Sequence, residues 1–165
     1  MTIKVKNKGT LEFEDFKFKC CFGLNGLTKT KKEGDKKTPI GIFEIGNLYY
    51  RSDKSKKPHT KLKVIKIKKK MGWCNNPTSK NYNKLIQING GNNYEKLFRK
   101  DYKYDFLIPI YYNFKKTIPF KGSAIFIHLT KDYKPTAGCV ALKKKDFLFL
   151  IKLINKKTKI KISRL

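Results

Sequence analysis

Short alternating segments dominate the hydrophobic pattern of this chain. Between residues 10 and 22 apolar and polar side chains alternate, and the phase slips near Asp15, which predicts a strand with a bulge or bend. Further strand-like runs, rich in Ile, Val and aromatic residues, are bounded by turn residues. These runs cover residues 40–50, 62–68, 84–88, 105–113, 123–129 and 158–163. The pattern therefore indicates a β-rich domain.

Two segments have helical rather than alternating spacing. In residues 143–156, apolar side chains recur every three or four positions from Phe147 to Ile154. Asp146 lies near the start of this segment, where a carboxylate favours the helix dipole. The spacing predicts an amphipathic helix over 143–156, packed on the sheet, and a short second helix over 93–100.

One long irregular stretch, residues 69–83, separates two of the predicted strands. Connections of this length are often lids or binding loops, and the alternative is a packed surface loop anchored by Trp73. No internal repeat or flexible linker interrupts the chain of 165 residues, so we predict one domain over 1–165. No apolar run reaches the roughly 18 residues of a membrane span, and no secretory signal is visible at the start.

The formal net charge of +28 raises the question of an anionic partner. Nearly all of the positive charge is lysine spread along the whole chain, with arginine only at Arg51, Arg99 and Arg164. Bidentate contacts to phosphate or guanine favour arginine, so specific nucleic-acid binding is not predicted. A generally solvated lysine surface and adhesion to an anionic polymer or surface both stay open.

The cysteines do not form a metal-binding pattern. Cys20 and Cys21 are adjacent, no CxxC pair occurs, and the chain has two histidines, His59 and His128. Structural zinc sites use paired ligands at short spacings, so we predict no metal and no cofactor. A disulfide that involves Cys74 stays open.

The segment from His128 to Cys139 carries the candidate chemistry. His128 ends one apolar strand, and Cys139 follows Gly138 at the start of the next. An imidazole can accept the proton of a thiol, and a glycine before the nucleophile frees backbone N–H groups for an oxyanion. Thr136 is a candidate to orient His128 through its carbonyl or hydroxyl. The alternative from these residues alone is a buried cysteine beside a core histidine.

The same segment resembles the signature of L,D-transpeptidase catalytic domains of the YkuD type, in which a histidine precedes an [ST]-x-G-C motif. The matching positions are His128, Thr136, Gly138 and Cys139. Other segments resemble members of this family in the same order: GDKKTPIGIFEIG at 34–46, MGWCNNP at 71–77, KNYNKLI at 80–86 and FRKDYKYD at 98–105. The resemblance runs from about residue 20 to the end of the chain.

The resemblance implies a mainly β fold, a mixed-sheet β-sandwich with one C-terminal amphipathic helix and a short second helix. It implies that Cys139 attacks a donor stem peptide of peptidoglycan, that His128 moves the proton, and that Gly138 with the Cys139 amide binds the oxyanion. Thr136 would orient the histidine. We add four candidate substrate-binding residues, which are Arg99, Trp73, Tyr112 and Asn113.

The chain departs from the commonest family pattern at three points. Ala137 stands where many members have a second histidine, and Ala141 stands where many have an arginine for a substrate carboxylate. The gap between His128 and Cys139 is also shorter than in many relatives. Arg99 is a candidate replacement for that arginine, and the alternative is a surface or structural ion pair with Asp101 or Asp105.

The predicted function is therefore a peptidoglycan L,D-transpeptidase, with stem peptides as donor and acceptor. With water as acceptor the same site would be a carboxypeptidase or endopeptidase, and the scissile bond is diaminopimelate–D-alanine or L-alanine–diaminopimelate. A noncatalytic basic module that binds nucleic acid or wall polymer is the alternative from another class. We expect a monomer without a membrane span that acts in the periplasm or cell envelope, with a cytoplasmic site of action left open by the lack of a visible signal.

Overall fold

The computed structural model describes residues 1–164, which contain fifteen strands and one helix. In chain order these are β1 (Thr2–Lys6), β2 (Thr10–Phe13), β3 (Phe16–Cys21), β4 (Leu27–Thr28), β5 (Thr38–Pro39), β6 (Gly41–Glu44), β7 (Leu48–Tyr50), β8 (Val64–Lys66), β9 (Met71–Cys74), β10 (Leu85–Gln87), β11 (Tyr94–Lys96), β12 (Phe106–Pro109), β13 (Phe126–Leu129), β14 (Val140–Leu142), α1 (Lys144–Leu153) and β15 (Lys159–Ser163).

Ten of the strands form one mixed sheet in the order β6-β15-β1-β2-β3-β14-β13-β12-β7-β8. The sheet curls, because the chain after β6 meets the chain after β12 near the opposite edge. Ile45 and Ile110 form a bridge there, and the Tyr111 N–H donates to the Glu44 carbonyl at 2.9 Å. The mainly β prediction is confirmed, but the architecture is a curled half-barrel rather than a sandwich.

The inner face of this sheet is the face against which α1 packs. Phe147, Leu150 and Ile151 of α1 are buried in one cluster with sheet residues such as Ile3 and Leu142. The C-terminal amphipathic helix is thus confirmed, with bounds three residues shorter at its end than the predicted 143–156. Burial of this stripe by the sheet accounts for its helical spacing.

The opposite, outer face is half covered by a second sheet in the order β10-β9-β11. Trp73 of β9 packs on Phe126 of β13 with ring centroids 5.3 Å apart. Tyr49 and Leu107 of the large sheet join them in a second buried cluster. The small sheet therefore lies over β7, β12 and β13 and leaves the outer face of β3, β2, β1 and β15 uncovered by it.

The short second helix predicted over 93–100 is wrong, because residues 94–96 form β11. Tyr94, Glu95 and Lys96 pair with Cys74, Trp73 and Gly72 of β9. Backbone hydrogen bonds to a neighbouring strand outweigh the helical spacing of so short a segment.

Four details of the strand prediction also differ. The phase slip near Asp15 is a hairpin turn in which Phe13 pairs with Phe16 and Glu14 has φ +51°. The strand predicted over 40–50 divides into β6 and β7. The irregular stretch 69–83 contains β9, the central strand of the small sheet, and β1 at the N-terminus was not predicted.

We expect Phe147→Ala to lower the free energy of unfolding by about 3–5 kcal/mol, because the ring is fully buried and its removal leaves a cavity. Phe149→Ala on the same helix is the matched control, since this ring is 39% exposed. Its edge-on contact with Phe16 is lost with the ring, so we expect a smaller cost of about 1 kcal/mol. Urea unfolding followed by circular dichroism measures both, and equal losses would contradict the assigned helix face.

Candidate functional site

Adjacent parallel strands bring the two predicted reactive residues to one face of the sheet. β13 pairs with β14 so that His128 lies opposite Ala141. Cys139 comes two residues before Ala141, and residues two apart along an extended chain point to the same side. His128 and Cys139 therefore share the outer face, beside the part that the small sheet covers.

Both residues line one cavity of about 570 Å³. Most of its walls come from three segments, within residues 31–36, 95–104 and 130–137, and Asn75 and residues 123–125 complete the lining. The last of these is the connection between the two parallel strands, which must run back over the outer face to reach the start of β14. The site is therefore a pocket with the sheet as its floor and loops as its walls.

The Cys139 thiol is buried and bonded to the backbone of the segment before β13. The Phe126 N–H donates to Sγ at 3.3 Å, and the S–H donates to the Ala124 carbonyl at 3.3 Å. Burial raises the pKa of Cys139 to about 12, more than the Phe126 N–H lowers it. The resting side chain at neutral pH is the thiol.

The His128 imidazole is held by the chain next to it. Nδ1 lies 2.9 Å from the Leu129 carbonyl oxygen, and because a carbonyl only accepts, Nδ1 carries the hydrogen. Burial lowers the pKa of His128 to about 4, so the ring is neutral at pH 7 and Nε2 is its proton acceptor. The Tyr104 ring packs edge-on against it at 5.4 Å, and within residues 1–164 no hydrogen bond joins the imidazole to Sγ.

Position 138 requires glycine, because of its backbone conformation and the close approach of the Lys37 backbone. Its φ is +140°, and a Cβ here would lie 2.9 Å from the Lys37 carbonyl oxygen. The Thr38 hydroxyl donates to the Gly138 carbonyl at 2.7 Å and accepts from the Gly23 N–H at 2.9 Å. The GDKKTP segment thus fixes the turn that presents Cys139.

Thr136 does not orient His128, contrary to the prediction. Its hydroxyl donates to the Cys139 carbonyl at 2.6 Å and accepts from the Gly138 N–H at 3.1 Å, and its carbonyl accepts from the Leu24 N–H. Thr136 therefore holds the turn before Cys139, and the Leu129 carbonyl orients the imidazole. Because the Gly138 N–H is engaged, the Cys139 N–H is the stronger oxyanion candidate of the predicted pair.

Arg99 lines the cavity but is already paired. Its guanidinium contacts Asp101 at 2.5 Å and Glu95 at 3.5 Å, and about a third of the side chain is exposed. Of the two ion pairs weighed from the sequence, the structure contains the one with Asp101. A substrate carboxylate at Arg99 would compete with these two acids.

The other three predicted substrate-binding residues lie outside the cavity lining. Trp73 is 3% exposed and its indole N–H donates to Asn83 at 2.8 Å, as a packed anchor would. The Tyr112 hydroxyl donates to the Lys121 carbonyl. The Asn113 side chain bonds the backbone of Ile118. All three stabilise the loops behind the site, so their placement gives no support to contact with a substrate.

Asn83 is a site residue that sequence reasoning missed. Its Oδ1 accepts from Trp73 and from the Ala124 N–H at 3.0 Å, and its Nδ2 donates to the Tyr112 and Asn113 carbonyls. Asn83 thereby positions Ala124, whose φ is +53° and whose carbonyl accepts from the Cys139 thiol. No pattern in the sequence separates Asn83 from its neighbouring asparagines.

Lys31 is a second missed residue, and it brings a buried cation to the cavity. Its ammonium lies 2.6 Å from Asp35 and the side chain is 4% exposed. Burial raises the pKa of Asp35, but hydrogen bonds from Lys31 and from the backbone N–H groups of Lys32 and Lys37 outweigh burial and hold it below its usual value. The acidic residue in GDKKTP was the available signal for such a pair.

Residues 1–164 contain no group of three or more His, Cys, Asp or Glu side chains suited to hold a metal ion. All four cysteines in this range, including Cys74, are free thiols. No helix in this range is long and apolar enough to cross a membrane.

Comparisons with known proteins agree with the geometry of the fold. A family model described as the L,D-transpeptidase catalytic domain (YkuD) matches residues 2–162. The crystal structure of the helical cell shape determining protein Pgp2 from Campylobacter jejuni is similar with a TM-score of 0.51 and 17% identity, over 99% of this chain and 47% of that chain. A Pgp2 mutant gives 0.50 and 17%, over 99% and 46%. The chain spans about half the length of these structures, and no curated protein matches it.

His128 predicts a pH dependence of stability. Its folded pKa of about 4 lies below the ordinary 6.5, so between these values the unfolded chain binds the extra proton and stability rises with pH. The folded protein should therefore lose roughly 3 kcal/mol from this group as pH falls from 6.5 to 4. Urea unfolding at several pH values across this range gives the slope of unfolding free energy against pH, and this slope should be smaller in His128→Gln. His59→Gln, at an exposed site, should keep the wild-type slope.

Thr38→Val tests the clamp, by which we mean the hydrogen bonds of the Thr38 hydroxyl to Gly138 and Gly23 that hold the turn before Cys139. The change keeps the shape but removes the hydroxyl that bonds Gly138 and Gly23, so we expect a loss of about 1–3 kcal/mol in unfolding free energy. The rate at which Cys139 reacts with a small alkylating reagent should change as well. Thr10→Val, on the outer face of β2, is the control and should have neither effect. Unchanged stability and thiol reactivity in Thr38→Val would contradict the clamp.

Proposed function

Because the chain belongs to the L,D-transpeptidase catalytic-domain family, we propose that it is a cysteine acyltransferase that cross-links stem peptides of peptidoglycan. The observation that carries the proposal is the placement of the Cys139 thiol and the His128 imidazole in one cavity on one face of the sheet. Residues 1–165 would form a single catalytic domain.

In the first half of the proposed reaction, Nε2 of His128 accepts the thiol proton while Sγ of Cys139 attacks a peptide carbonyl of the donor. The sulfur must first turn from the Ala124 carbonyl toward the imidazole. The Cys139 N–H donates to the oxyanion, and Thr136 and Thr38 hold the backbone that presents it. The carbon–nitrogen bond then breaks, the leaving amine takes the proton from His128, and a thioester remains.

In the second half, the amine of another stem peptide attacks the thioester and gives its proton to His128. The carbon–sulfur bond breaks, the departing sulfur of Cys139 takes the proton from His128, and the new amide is the cross-link. With water as the nucleophile the same steps release a trimmed peptide, so a carboxypeptidase or endopeptidase is the second candidate. The cavity is open to solvent at its loop walls, so water can reach it, which supports hydrolysis as the second candidate reaction.

Recognition of the donor would depend on cations in the cavity walls. Ala141 is fully buried beneath the cavity and supplies no charge, whereas Lys36, Lys103 and Lys134 line it together with Arg99. We propose that these side chains meet the carboxylates of the donor. Arg99 would do so only by exchanging Asp101 for the substrate.

The proposed place of action is the cell wall, in the periplasm or envelope, where peptidoglycan lies. The helical cell shape determining protein Pgp2 has the same fold in about half of its length. We propose by this likeness that the chain contributes to cell-wall biogenesis and cell shape.

Acylation by a carbapenem tests the nucleophile. This drug class offers a strained amide carbonyl, so intact mass spectrometry should show one adduct on the wild-type protein and none on Cys139→Ala. His128→Gln should acylate at least about 100-fold more slowly, since a general base contributes on that order. Cys21→Ala is the matched control and should acylate as the wild type does.

Incubation with peptidoglycan distinguishes the candidate functions. A transpeptidase gives new cross-linked muropeptides in digests, a hydrolase gives trimmed ones, and Cys139→Ala gives neither. Neither product from several donors, together with binding that Cys139→Ala leaves unchanged, would instead indicate the noncatalytic basic module.

A further inference from the structure

The uncovered half of the outer face bears a regular array of lysines, which we call the lysine face. It is formed by side chains of four neighbouring strands, β3, β2, β1 and β15, that alternate with buried apolar residues. Its lysines are Lys4, Lys6, Lys17, Lys19, Lys159 and Lys161. All except the half-buried Lys6 are exposed.

The register of the strands makes this face continuous with the floor of the cavity. His128 lies opposite Ala141, and Ala141 lies opposite Cys21 of β3. Lys19 and Lys17 follow Cys21 at steps of two, so they point to the same side. Adjacent strands in a sheet lie about 4.8 Å apart, and β15 is the fourth strand from β14, so the lysine face extends about 19 Å from the cavity.

The acids on this face leave part of its charge unpaired. Glu12 pairs with Lys6 at 2.8 Å and lies 3.7 Å from Lys17, and Glu44 of the adjoining β6 pairs with Lys115 at 2.9 Å. Lys4, Lys19 and Lys161 form no ion pair within residues 1–164.

Lys4 and Lys161 also lie directly opposite each other across β1 and β15. Like charges in this position destabilise a sheet. An anion bound between them would remove that repulsion.

We propose that the lysine face docks a carboxylate-bearing peptidoglycan strand and holds it beside the cavity. The inference rests on the proposed function for its choice of polymer, because the cavity that adjoins the face would take stem peptides of the same strand. The repeated carboxylates of those peptides are complementary to lysines that repeat along and across the strands. Docking would raise the local concentration of stem peptides at Cys139.

The observations favour a polycarboxylate over a nucleic acid as the occupant. The face contains no arginine, and the three arginines of the chain are bonded elsewhere, to Asp53, Asp101 and the Leu27 carbonyl. Arginine is the residue suited to bidentate phosphate contacts. In residues 1–164 the outward positions of β3, β2, β1 and β15 hold no aromatic side chain that alternates with the lysines, as a stacking platform for bases would require. The Tyr133 ring from the neighbouring loop lies 4.7 Å from the Lys19 ammonium.

Cosedimentation with purified sacculi tests the proposal, with Cys139→Ala as the background so that no turnover occurs. The face variant replaces Lys4, Lys19 and Lys161 by Gln. The matched control replaces Lys57, Lys61 and Lys69, which are exposed near β8 at the other edge of the sheet. We expect at least about a tenfold loss of affinity in the face variant at low salt and less than about twofold in the control. Sacculi with amidated carboxylates should bind poorly to the parent protein.

Equal losses in both variants, or none in the face variant, would overturn the proposal. So would undiminished binding to amidated sacculi, or tighter binding of DNA than of sacculi that depends on the same three lysines. Carbapenem acylation of the same face variant with Cys139 intact should match the wild type, which shows that the fold and the cavity are retained. A normal sacculus result without acylation would count against the proposed function instead.

Discussion

The site depends on the parallel pairing of β13 with β14. Parallel neighbours are usually joined by a crossover of about a dozen residues or more, often a helix, whereas residues 130–139 make this connection alone. The short connection must run back across the outer face, because the inner face is filled by α1 and its cluster. One constraint thus places His128 where the chain leaves the sheet, Cys139 where it returns, and a loop wall between them.

The strand pairing does not determine the backbone geometry on either side of the Cys139 thiol, and two buried polar side chains fix it. Thr38 holds the carbonyl before Cys139 from one side, and Asn83 holds Ala124, whose carbonyl bonds the thiol, from the other. Buried polar groups are costly unless they are bonded, and both side chains have donor and acceptor partners. Removal of either would leave backbone groups unpaired next to the sulfur. The elements that carry them, β5 and the loop after β9, are therefore part of the site although neither supplies a reactive group.

The spacing of apolar residues predicted the elements in which buried side chains recur at a regular period. It failed where pairing with a strand that is distant in sequence determines the secondary structure. The stripe from Phe147 to Ile154 indicated α1 because one face of a helix is buried. The segment at 94–96 has a similar spacing, yet it is a strand, since its backbone partners on β9 are distant in sequence. The motif residues His128, Gly138 and Cys139 could be selected from sequence because each has a distinct chemistry. The hydrogen-bond partners of Thr136 could not be predicted from the sequence, because a hydroxyl bonds whichever acceptor the folded loop brings to it.

The charges around the cavity bear on how a proton leaves the thiol. Burial favours the neutral form of both Cys139 and His128. Lys31 and Arg99 lower the pKa of the thiol, and Glu95 opposes them by raising it. Lys103 and Arg99 lower the pKa of His128 and so oppose an imidazolium, whereas Asp101 raises it. A standing thiolate–imidazolium pair is therefore disfavoured. Attack on the donor carbonyl would instead accompany proton transfer, because the negative charge then passes to an oxyanion at the Cys139 N–H and the proton moves on to the leaving amine.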